Sequence, residues 1–95
     1  SDNVGAELFE TIERFAADHE IIIQRVKPSS IVQKRRYKEA SLDIEIEGSF
    51  AQLFSFIHAI ESSGQLITIR SVRFVPSPQR QKLVRCRMTV ARLFF

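Results

Sequence analysis

"LDIEIEGSFAQLFSFIHAIESSGQLITIRSVRF", residues 42–74, changes its period at a single glycine. Before Gly48, Leu42, Ile44 and Ile46 alternate with Asp43, Glu45 and Glu47. That period of two predicts a strand with one apolar and one wet face, and Ala40 extends it backwards. After Gly48 the period becomes helical. Ser49-Phe50-Ala51-Gln52 fits a capping box, in which a serine hydroxyl and a glutamine side chain satisfy opposite backbone N–H groups. Phe50, Leu53, Phe54, Ile57 and Ile60 form the expected apolar stripe, and Ser62-Ser63-Gly64 is the expected stop. The chain is then predicted to return as a strand from about Leu66 to Val75. Its apolar parity changes near Arg70-Ser71, which predicts a bulge there.

Outward from this stretch the same elements recur. Leu8, Phe9, Ile12, Phe15 and Ala16 draw a helical stripe over residues 4–18. Ile21, Ile22, Ile23 and Val26 are β-branched and predict a short strand, broken at Pro28-Ser29-Ser30. Residues 31–39 are polar and basic, and read as a hairpin loop or the start of the next strand. After a turn at Pro76-Ser77-Pro78, Val84, Cys86, Met88 and Val90 alternate with Arg85, Arg87 and Thr89 in a last strand.

The halves match at one common offset. Leu8, Phe9 and Ile12 correspond to Leu53, Phe54 and Ile57; Phe15 to Ile60; Arg25 to Arg70. The expectation is a single domain, residues 1–95, of two helix–strand–strand units over about 4–47 and 49–95. Helix–strand–strand twice is an α+β, ferredoxin-like two-layer sandwich, circularly permuted. Its four-stranded antiparallel sheet would have the order 1-2-4-3. That order sets Asp43, Glu45 and Glu47 against Arg85 and Arg87 on the helix-free face, where opposite charges stabilise by about 0.2–1 kcal/mol each. The opposite face would bury Leu42, Ile44, Ile46, Val84, Cys86, Met88 and Val90 under the helices.

Ninety-five residues suit one domain, and eight phenylalanines supply much apolar area. The net charge of +3 is mild, and those cross-strand pairs explain much of the basic C-terminal third without a ligand. A single cysteine excludes an internal disulfide and cysteine-pair metal sites. Cys86 reads as a small buried hydrophobe. His19 and His58 lack a nucleophile and a supporting acid at useful spacing, and the clustered carboxylates lie beside arginines as ionised partners. The three glycines form no phosphate-cradling loop. No catalytic, cofactor-binding or metal site is expected.

Two binding classes remain. Lys34-Arg35-Arg36-Tyr37-Lys38 is a basic run with one aromatic, and this fold class includes RNA binders, so a nucleic-acid module using the loop 34–38 is the alternative. Against it, an RNA-reading sheet stacks bases on exposed aromatics. Here those central positions are Asp43, Glu45, Arg85, Arg87 and Thr89, so no nucleic acid is expected. Protein–protein binding is the principal expectation, because edge strands carry unpaired backbone groups. The expected contact residues are Ile21, Ile23 and Arg25 on the first strand and Arg70, Arg73 and Val75 on the third. The cations there, with Lys27, would discourage random pairing. The apolar Leu93-Phe94-Phe95 is expected to close the core or join a contact.

The run from the alternating strand through Gly48-Ser49-Phe50, Gln52-Leu53 and Phe56 to Leu66-Ile67-Thr68-Ile69 and Val72-Arg73-Phe74, then a proline turn and an alternating strand, resembles a known family. It is similar to the PilO family of type IV pilus assembly proteins and its type II secretion counterpart, GspM. The match runs from about Leu42 to Phe94; the basic loop 34–38 is outside the pattern. The resemblance implies a non-enzymatic periplasmic domain of an inner-membrane assembly platform, in a single-pass protein. It also implies a homodimer that pairs with PilN- or GspL-like subunits. Membrane attachment would come from a segment absent from these residues.

Overall fold

The computed structural model describes residues 3–77 and 82–95. The elements are α1 (Val4–Asp18), β1 (Ile22–Gln33), β2 (Lys38–Gly48), α2 (Phe50–Glu61), β3 (Ile67–Pro76) and β4 (Val84–Phe94). The strands form one antiparallel sheet in the order β1-β2-β4-β3, with both helices on one face. This is the two-layer α+β sandwich that the two periodicities predict. The turn expected at Pro76-Ser77-Pro78 runs into residues 78–81, which lie outside the described residues; Pro76 is the last residue of β3.

The core is the face that alternation assigned to the helices. Leu42, Ile44, Ile46, Val84, Cys86, Met88 and Val90 are all buried, beneath Leu8 and Ile12 of α1 and Leu53, Phe56 and Ile60 of α2. Each such side chain contributes about 1.5–3 kcal/mol by leaving water. The bulge predicted in β3 is present, with the register shifting between Ile69 and Ser71. It lets Ile69, Val72 and Phe74 share one face despite their mixed parity.

The junction of β2 and α2 is tight, with one residue between the two elements. The capping box is complete: Gln52 N–H donates to Ser49 Oγ at 3.1 Å, and Ser49 N–H donates to Gln52 Oε1 at 2.9 Å. Gly48 is needed for close approach. A Cβ there would stand 3.0 Å from Ile21 Cδ1 and 3.2 Å from Gln52 Oε1. Helix α1 ends differently. Ile21 N–H donates to Ala16 O at 2.8 Å and Glu20 N–H to Ala17 O at 3.3 Å, while Glu20 adopts φ 57°. This is a Schellman-type stop whose left-handed position, usually glycine, is held by glutamate.

Two expectations are corrected. Pro28 does not break β1, which continues to Gln33. β1 is an edge strand, where a missing N–H disturbs no ladder bond, and the register shift between Pro28 and Ser30 absorbs the residue. The loop is therefore only the short hairpin between Gln33 and Lys38. The second correction concerns α2. Phe50 and Phe54 are 51% and 57% exposed, whereas Phe56, outside the expected stripe, is fully buried. The helix is rolled so that Leu53, Phe56 and Ile60 face the sheet.

Candidate interaction surfaces

The helix-free face of the sheet is a ladder of alternating charge. Glu45 of β2 pairs in register with Arg87 of β4, and Glu47 with Arg85. Arg87 Nε donates to Glu45 Oε2 at 2.8 Å, and Arg85 Nη1 lies 3.8 Å from Glu45 Oε1. Glu47 is buried at 2% exposure, with Arg85 Nε 3.7 Å and Ser77 Oγ 2.6 Å from Oε2. Thr89 Oγ1 donates to Asp43 Oδ1 at 2.7 Å. These carboxylates are engaged in holding the sheet rather than poised for acid–base work. Among the described residues no group of histidine, cysteine and carboxylates is arranged to hold a metal ion.

Cys86 lies inside the sandwich, and burial pushes its thiol up to about 11, against a smaller opposing effect of a hydrogen bond with the Arg73 backbone. At neutral pH it is a neutral apolar group, not a nucleophile. His58 is exposed on α2 with Ser62 Oγ 3.4 Å from its Nε2. His19 sits at the C-terminal end of α1.

The basic hairpin is closed by Lys34 N–H donating to Tyr37 O at 2.8 Å. Lys34, Arg35 and Arg36 are exposed, but Tyr37 is half-buried against Phe95, with ring centroids 5.7 Å apart. Among the described residues, the middle of the open face holds Asp43, Glu45, Arg85, Arg87 and Thr89 and no aromatic side chain. Phe94 packs against the core, and Phe95 is 84% exposed.

The expected edge residues are distributed unevenly. Ile21 is buried at 7% exposure just before β1, so it is not part of an accessible edge. Ile23 pairs with Ile46 and is half-buried. Arg25 is exposed on the open face opposite Glu45. On β3, Arg70 is ion-paired with Glu39, Arg73 is exposed opposite Arg87, and Val75 is half-buried opposite Arg85.

Beside β3 lies a feature that stripe-counting missed. Phe50, Phe54 and Phe74 form a surface triad with centroid separations of 5.6–5.9 Å, and Val72 next to it is 41% exposed. Contiguous exposed apolar groups of this kind mark interaction surfaces. The sequence signal was an excess of aromatics: Phe50, Phe54 and Phe56 exceed what one buried helical stripe holds.

Helix–strand–strand twice, over a sheet ordered β1-β2-β4-β3, defines a ferredoxin-like sandwich. The PilO family, described as the type IVa pilus alignment subcomplex PilO C-terminal domain, matches residues 5–94. That span is nearly the whole chain, and the chain belongs to this family. The structure is similar to the crystal structure of the type 4 fimbrial biogenesis protein PilO from Pseudomonas aeruginosa, with a TM-score of 0.81 and 20% identity over 99% of this chain and 70% of that one. It is similar to the core region of PilO from the type IV pilus system of Pseudomonas aeruginosa, with a TM-score of 0.76 and 19% identity over 93% and 91% of the two chains. A structure from Akkermansia muciniphila determined without its transmembrane region gives a TM-score of 0.77 and 15% identity, over 95% of this chain and 54% of that one. At such identities the likeness shows the fold. Among curated proteins, no sequence matches the chain. The PilO family is a structural component of an inner-membrane pilus-assembly subcomplex and is not known as an enzyme, which supports a role in pilus assembly. No described helix is long and apolar enough to cross a membrane.

Proposed function

We propose that this domain is a non-enzymatic module of the inner-membrane platform that assembles type IV pili. It is displayed on the periplasmic face and acts by homo- and hetero-oligomerisation with related, PilN-like subunits. The observation that carries the proposal is the family match over residues 5–94; that family is PilO, which favours the pilus branch over the secretion branch. The disposition of polar groups agrees with it. Glu45, Arg85 and Arg87 stabilise the sheet, and the thiol of Cys86 is buried. The exposed rings of Phe50 and Phe54 beside Phe74, and the strand edges, are features of a binding module.

The test is deletion of residues 5–94 from the full-length protein in its own host. The expected result is loss of surface pili, together with loss of the other inner-membrane subunits from the detergent-solubilised complex. Normal piliation with an intact complex would overturn the proposal.

A further inference from the structure

The two edges of the sheet share an unusual composition. β1 carries Arg25 and Lys27, β3 carries Arg70 and Arg73, and neither contains an aspartate or glutamate. Any edge-to-edge pairing of two copies therefore joins two strands whose only charges are positive. Like charges directly opposite each other destabilise a strand pair. The edges are built against self-pairing.

They are not equally closed to other strands. β1 has two register irregularities and Pro28, whose missing N–H cannot join a ladder. β3, beyond its bulge, pairs regularly with β4 through Val72–Met88, Arg73–Arg87, Phe74–Cys86, Val75–Arg85 and Pro76–Val84. On the open face, Arg73 stands against Arg87, whose own Nε is committed to Glu45. The Arg73 guanidinium is exposed and has no hydrogen bond or ion pair with a described residue. On the helix side the same stretch presents Val72 and Phe74, flanked by the exposed ring of Phe54.

A strand laid along β3 would thus meet a cation on one face and apolar groups on the other. The molecule already contains the matching pattern. β2 alternates Asp43, Glu45 and Glu47 with Leu42, Ile44 and Ile46, and it lies antiparallel on β4 with acids over arginines and apolar residues in the core. We propose that the outer edge of residues 72–75 accepts an extended segment of a different subunit, one that alternates acidic and apolar residues. It would add a fifth strand with an acid beside Arg73 and an apolar side chain against Phe54 and Phe74. The proposal rests on the pilus-assembly role above and names the chemistry of the partner. Backbone hydrogen bonds supply most of the affinity and the charge supplies the choice of partner.

The experiment uses this chain with two capped hexapeptides, one alternating valine with glutamate and one alternating valine with lysine. Binding is followed by amide NMR shifts and hydrogen exchange. The glutamate peptide is expected to slow exchange at residues 72–75 and to bind about tenfold more tightly than the lysine peptide at low salt, the gap narrowing as salt is added. Arg73→Glu should reverse the ranking, and Phe54→Ser should weaken both peptides while leaving the ranking unchanged. Both positions are exposed, so neither change threatens the core. Equal binding of the two peptides, protection along β1, an unchanged ranking in Arg73→Glu, or no binding at all would each overturn it. So would protection of residues 72–75 by self-association alone. If no peptide binds while the full-length protein still co-purifies with its subunits, the β3 edge is excluded and the platform role stands.

Discussion

Arg87 Nε donates to Glu45 Oε2 at 2.8 Å, joining β2 and β4 across the middle of the sheet between residues 42 apart in sequence. The Arg87 side chain is 67% exposed and Glu45 is 15% exposed, so the pair is largely screened by solvent. A double-mutant cycle of Glu45→Ala and Arg87→Ala, read by urea denaturation, should give a coupling of about 0.2–1 kcal/mol. Zero coupling would mean that register rests on the apolar face alone.

Glu47 is a different case, because its carboxylate is buried and held by Ser77 and Arg85. Glu47→Ala should destabilise the fold by about 3 kcal/mol, since an arginine at the sheet loses a buried partner. Glu47→Gln, which keeps the shape and an acceptor, should cost less. Thermal melting of both variants checks the ordering.

The start of α2 offers a local test. Ser49→Ala removes the hydroxyl that accepts from Gln52 N–H and should cost about 1 kcal/mol. Gly48→Val should cost about 1–3 kcal/mol by crowding Ile21 and Gln52. Equal stability of Gly48→Val and the parent would show that Ile21 moves aside freely.

Glu20 predicts a gain instead of a loss. Its φ of 57° is the left-handed region, which disfavours side chains by about 1–2 kcal/mol. Glu20→Gly relieves that conformation but loosens the unfolded chain, so a net stabilisation of about 0.5 kcal/mol is expected. A lower melting temperature would contradict the Schellman-type assignment.

Cys86 links packing to pH. With its ordinary value of 9.0 raised to about 11 by burial, the folded chain holds the thiol proton more tightly than the unfolded chain. Its contribution to stability is fully present below pH 9.0 and is lost as the pH rises toward about 11. Cys86→Ala should remove that part of the alkaline decline. At pH 8, the native thiol should react with a disulfide reagent about a hundredfold more slowly than in urea.

Much of this fold was legible in the residues because β2 and β4 announce themselves twice. Their apolar and charged positions alternate, and the charges are of opposite sign. The capping box and the bulge near Arg70 were legible for similar reasons, since each needs a specific local pattern. The roll of α2 was not. Phe50, Leu53, Phe54, Phe56, Ile57 and Ile60 span an arc of about 160° at 3.6 residues per turn, wide enough that spacing alone allows two overlapping stripes. The sheet selects the one centred on Leu53, Phe56 and Ile60 and leaves the other as surface. The length of β1 was hidden because proline is a breaker in a central strand and tolerable at an edge, and edge position is a tertiary fact. The aromatic triad joins Phe50 and Phe54 to Phe74 of another element, so it exists only once α2 is placed beside β3.

A lone serine separates the end of β2 from the start of α2; its N–H and hydroxyl are bonded to Gln52, and its carbonyl accepts from Leu53 N–H. Such a joint has no slack. A load applied to the aromatic flank of the helix passes directly into a central strand of the sheet, with no loop to absorb it.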